Sequence, residues 1–76
     1  MKVKKIVRHL KYNTDIRFYK ENSEKVFAQC DSLYLLRNYP LDHTVYILMN
    51  YKIKSIQPGH IKDCEIEYIN IIVEDK

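Results

Sequence analysis

Seventy-six residues, 46% apolar and 30% charged, are expected to form one small domain (residues 1–76) with an efficient core; the composition excludes an intrinsically disordered chain. A single glycine excludes a glycine-rich phosphate-binding loop. The net charge of +3 is unevenly spread: residues 1–20 hold seven Lys/Arg against Asp15 alone, and residues 21–76 hold six against nine acids, so a dipolar molecule is expected.

At the start of the chain, Val3, Ile6, Val7 and Leu10 recur at i, i+3, i+4 and i+7, the spacing that gathers side chains on one face of a helix. The segment KVKKIVRHLK, residues 2–11, is therefore predicted to be an amphipathic helix with Lys4, Lys5, Arg8 and Lys11 outward. Arg17 and the tyrosines Tyr12 and Tyr19 are expected near this basic face. Asn13 is a plausible left-handed stop.

From Asp15 the period changes to two. Ile16 and Phe18 alternate with Arg17 and Tyr19, and after the polar turn KENSEK the run VFAQC alternates again, which predicts a β-hairpin. Val26, Ala28 and Cys30 share one strand face and are assigned to the core, with Phe27 more peripheral.

Asp31 and Ser32 can cap a short helix carrying Leu33, Leu35 and Leu36, which Pro40 ends, because the residue before proline avoids the helical region. The next segment, residues 41–50, has two readings. Its β-branched and aromatic content suits a strand, whereas Leu41, Val45, Leu48 and Met49 fit one helical stripe between Asp42 and Asn50. The helix is preferred.

A second hairpin follows, from YKIKSI and CEIEYINIIV about QPGHIK, with Pro58-Gly59 as the tight turn. That turn pairs Lys54 with Glu65, Lys52 with Glu67, Ile53 with Ile66 and Tyr51 with Tyr68, so charges meet on one face and apolar groups on the other. Beyond Tyr68 the alternation changes phase, which calls for a bulge near Ile69 or burial on both faces, and either makes the last strand central. The fold class expected is α+β: an N-terminal amphipathic helix, two β-hairpins forming a four-stranded mainly antiparallel sheet, and one or two short helices between the hairpins.

Candidate chemistry is sparse. His60 and Cys64 have a spacing seen in zinc sites, but four ligands are needed and no second close pair exists, so no metal or other cofactor is expected. Cys30 and Cys64 fall at strand positions where thiols are inert, and Glu65 and Glu67 read as partners of lysines, so no catalytic residues are assigned and no enzyme is expected. With no secretory leader and no apolar run near twenty residues, the expected location is the cytoplasm, with no membrane role.

Seven tyrosines and no tryptophan point elsewhere. Tyr34, Tyr39, Tyr46 and Tyr51 crowd the middle of a chain too small to bury them all with their hydroxyls satisfied, and tyrosine is a preferred interface residue. These four are the candidate partner-binding residues. The basic face Lys4, Lys5, Arg8, Lys11 and Arg17 offers phosphate contacts, without a helix-turn-helix or aromatic recognition motif to read bases.

The run VKKIVRHLKYNTDIRFY, a hairpin, then YILMNYKIKSIQP and the apolar strand in EYINIIV resemble small uncharacterised accessory proteins of phages and other mobile elements in low-GC Gram-positive bacteria. Those proteins run from an N-terminal helix to a "VxSI" strand, here Ile53 to Ile56, and the tyrosine-rich middle segment departs from them. The resemblance implies a setting in the host cytoplasm and an inhibitor that binds a host or defence protein, for example a CRISPR effector. The expected function is thus a non-enzymatic protein-binding module. The alternative is a small nucleic-acid-binding protein, and a homodimer through an edge strand is compatible with either.

Overall fold

Ile16, Phe18, Ile71 and Val73 are fully buried, and the two strands that carry them lie side by side in the middle of one sheet. A computed structural model describes residues 1–10, 14–60 and 67–74. Its elements run α1 (Val3–Val7), β1 (Asp15–Lys20), β2 (Val26–Asp31), α2 (Ser32–Asn38), α3 (His43–Asn50), β3 (Ile53–His60) and β4 (Glu67–Val73). The fold is α+β, as the periodicities require. The sheet order is β2-β1-β4-β3; both hairpins are antiparallel, and the central pair β1 and β4 is parallel. The final strand is therefore central.

One face of the sheet is covered by the helices. Val3 and Val7 from α1, Leu35 from α2, and Val45, Leu48 and Met49 from α3 close over Ile16, Phe18, Ile71 and Val73. The stripe in the first segment is thus real, with Ile6 and Leu10 half-buried beside it, but α1 is shorter than the pattern suggests. Before it, Val3 N–H donates to the Tyr51 carbonyl and Ile53 N–H to that of Met1, so residues 1–3 are held in a short bridge to the start of β3. A residue committed to that bridge cannot extend the helix. After α1, the His9 and Leu10 N–H groups bond to carbonyls three residues back, which tightens and ends the turn.

The segment 43–50 is a helix, because the Asp42 carboxylate accepts from the Val45 N–H at 3.0 Å and Asn50 Nδ2 donates to the Tyr46 carbonyl at 2.8 Å. Leu41 does not belong to its buried stripe. It lies outside the cap and is 92% exposed.

In the first hairpin, Asn22 takes φ 66° in the turn that follows β1, a conformation asparagine tolerates better than most residues and one that substitutes for glycine. The pairing shifts between Phe18 and Tyr19, so that Phe27 is an extra residue in β2. This bulge reverses part of the expected facing. Ala28 and Cys30 pack on the core, but Val26 is exposed opposite Tyr19; Phe27 is peripheral, as expected, 39% exposed with its ring 6.2 Å from that of Phe18 and 5.8 Å from that of Tyr51.

The second hairpin departs most from expectation. Pro58 and Gly59 are not its turn: both lie within β3, opposite Ile69 and Tyr68. Tyr68 thus faces Gly59 rather than Tyr51, Glu67 pairs with His60 rather than Lys52, and Ile53 lies opposite Val73. The partners expected for Lys54 and Ile53, Glu65 and Ile66, lie outside the described residues, as does Cys64. β3 is an edge strand, where proline's missing N–H costs no ladder bond. The irregularity is at Lys54 in β3, not at Ile69. The apparent phase change in β4 has a plain cause: Ile69, Ile71 and Val73 face the helices, and Tyr68, Asn70 and Ile72 face the other side.

Candidate functional site

The turn of α3 that sends Val45, Leu48 and Met49 inward sends Tyr46 and Ile47 outward, about 110° and 150° from the buried face on the helix. In α2, Leu35 is buried, and Tyr34 and Leu36 on either side of it face solvent. Tyr34 and Tyr46 are 48% and 49% exposed, whereas Tyr39 and Tyr51 are half-buried against the core. Tyr39 and Tyr46 stack, with ring centroids 5.9 Å apart and planes 12° from parallel. The four tyrosines thus divide into two that present surface and two that support it.

Three apolar residues join the exposed pair: Leu36, Leu41 and Ile47. They were not among the candidates drawn from the sequence. The signal for Leu41 was its position before the capping Asp42, where a hydrophobic residue usually packs against the fourth residue of the helix. That residue is Tyr46, whose ring stacks on Tyr39 with one face. Leu41 is left in solvent.

Beside Tyr46 and Ile47 lies a groove of about 500 Å³, also lined by Asn50, Tyr51, Lys2, Lys52 and Glu74. It sits where the start of β3 meets the bridge from Lys2.

The basic cluster is smaller than expected. Lys5 and Arg8 are exposed on α1 and its cap, Lys4 is half-buried, and Lys11 and Tyr12 lie outside the described residues. Arg17 does not join them. It alternates with the buried Ile16 and Phe18, so it projects from the sheet face opposite the helices, where its guanidinium lies 4.1 Å from the centre of the Tyr68 ring. Tyr19 shares that face for the same reason. A second concavity of about 560 Å³ there is lined by residues including Tyr19, Gln57, Asn70 and Ile72. Arg17 Nε and Asn70 Oδ1, on directly paired residues, are buried without a hydrogen-bond partner among the described residues.

Burial pushes the Cys30 thiol up to about 11, with the carboxylates of Asp31 and Asp15 adding to the effect, so it stays protonated at neutral pH and is a poor nucleophile. Among the described residues, no three His, Cys, Asp or Glu side chains are grouped so as to hold a metal ion, and no helix is long and apolar enough to cross a membrane. No family model matches the chain, and no curated protein or solved structure is significantly similar to it.

Proposed function

We propose that this chain is a non-enzymatic protein-binding module that acts stoichiometrically through the outer surface of α2 and α3. One observation carries the reading: of the nine large hydrophobic residues exposed among the described residues, five (Tyr34, Leu36, Leu41, Tyr46 and Ile47) fall in this one helical segment. Scattered exposed apolar residues need no explanation, whereas their concentration in α2, α3 and the connection between them is typical of a surface that a partner covers. Tyrosines suit such a surface because they supply stiff contact area with a polar tip. Its form, by the resemblance to phage and mobile-element proteins, is an inhibitor in the host cytoplasm that occupies a host or defence protein such as a CRISPR effector.

The nucleic-acid alternative rests on Lys5 and Arg8, and it loses support from the position of Arg17 on the far face of the sheet. Affinity capture from a lysate of a low-GC Gram-positive bacterium, with and without nuclease, separates the two. The expected result is a protein retained through nuclease treatment, with recovery reduced at least ~10-fold by Leu41→Asp with Tyr46→Ala and little changed by Lys5→Glu with Arg8→Glu. Recovery of nucleic acid alone, lost at high salt, would reverse the order of the two readings.

A further inference from the structure

Lys2 and Lys52 are direct partners in an antiparallel bridge, the arrangement that places two side chains on the same side and close together. Like charges set opposite each other destabilise a pair, and among the described residues neither lysine has an ion-pair partner. Both line the groove that Tyr46, Ile47 and Tyr51 share, with Glu74 on the same rim.

We infer that this groove receives an acidic, apolar segment of a partner protein, with a bulky side chain against Tyr46 and Ile47 and a neighbouring carboxylate between Lys2 and Lys52. The inference rests on the protein-binding reading above and names the chemistry of the partner. A single carboxylate fits a pair of lysines that repel each other, because it neutralises both at once. Glu74 on the rim repels a carboxylate and a phosphodiester alike; what favours a peptide is the apolar wall of Tyr46 and Ile47 beside the lysines, which an acidic, apolar segment covers and a phosphate chain does not. The same geometry makes Lys52 a residue that serves binding at the expense of stability.

The test is selection of short random peptides, displayed on phage, against the immobilised full chain, followed by fluorescence anisotropy with a labelled selected peptide. Selected peptides are expected to carry Asp or Glu close to Leu, Ile, Phe or Trp. Lys52→Glu is expected to weaken binding at least ~10-fold while raising Tm by roughly 1–5 °C, because it turns a repelling pair into an attractive one. Ile47→Asp, at an exposed position, is expected to weaken binding similarly, and Lys5→Glu to leave it within ~2-fold. Failure to select peptides, peptides without acids, or binding indifferent to Lys52→Glu would each overturn the inference. So would displacement of the peptide by single-stranded DNA, or a homodimer that Ile47→Asp dissociates, since either assigns the groove to another occupant. If lysate capture succeeds while these tests fail, only this groove assignment falls; if capture fails while peptides bind as described, the assignment stands and the proposed activity falls.

Discussion

Gly59 shows how one residue can be conspicuous in the sequence and misread. Beside Pro58 it has the composition of a tight turn, and its intrinsic preferences support that reading. In the fold it needs no positive φ. A Cβ at Gly59 would fall inside the ring of Tyr68 on the adjacent strand, so glycine is there to let that ring lie flat against the sheet, with Arg17 over it. Gly59→Ala is expected to destabilise the protein by about 1–3 kcal/mol in urea unfolding. In a Tyr68→Ala background the same change should cost less than about 0.5 kcal/mol, because the clash has gone. Equal costs in both backgrounds would show that the ring is not the reason for the glycine.

At the scale of elements, the two inner helices use the same pair of devices. Asp31 and Asp42 accept from N–H groups three residues on, at 2.7 and 3.0 Å, and Asn38 and Asn50 donate to carbonyls four residues back, each at 2.8 Å. These interactions span three or four residues, which is why both helices could be located from the chain alone, even where Thr44, Val45, Tyr46 and Ile47 suit a strand. Asp42→Ala is expected to cost about 1 kcal/mol, a fall in Tm of about 4–8 °C, with Asp42→Asn largely restoring it. Thermal unfolding followed by circular dichroism would measure both. The exposed side of α3 was less legible: periodicity separates inside from outside, but only the tertiary structure shows that Tyr46 stacks on Tyr39 and that Leu41 stands in solvent.

At the scale of the whole molecule, the parallel pairing of β1 with β4 brings the two ends of the chain together. Ile16 lies beside Ile69 and Phe18 beside Ile71 across more than fifty residues of sequence, and the three helices close over them. A domain of this size has roughly 4–11 kcal/mol of total stability, so one core residue is a large share of it. Ile71→Ala is expected to cost about 2–5 kcal/mol. Ile56→Ala, on the paired position of the edge strand but exposed, should cost about 1 kcal/mol or less. Comparable losses from the two in urea unfolding would mean that the centre of the sheet is not the centre of the core.

The sequence by itself determined what depends on near neighbours: the inward stripe of α1, the alternation of β1, the caps of α2 and α3, and the α+β class that these elements compose. The same local periodicity also identified β4 as a central strand. Tertiary structure alone decided the register of the second hairpin, the parallel centre of the sheet, the bulge that leaves Phe27 unpaired and Val26 exposed, and the parting of Arg17 from Lys5 and Arg8 onto opposite faces. The reason is range. Helical and strand periods are set by dihedrals that each residue adopts with its neighbours, whereas register and facing are set by which distant side chains fill the same space, and a residue such as Gly59 carries no mark of the ring that will lie on it.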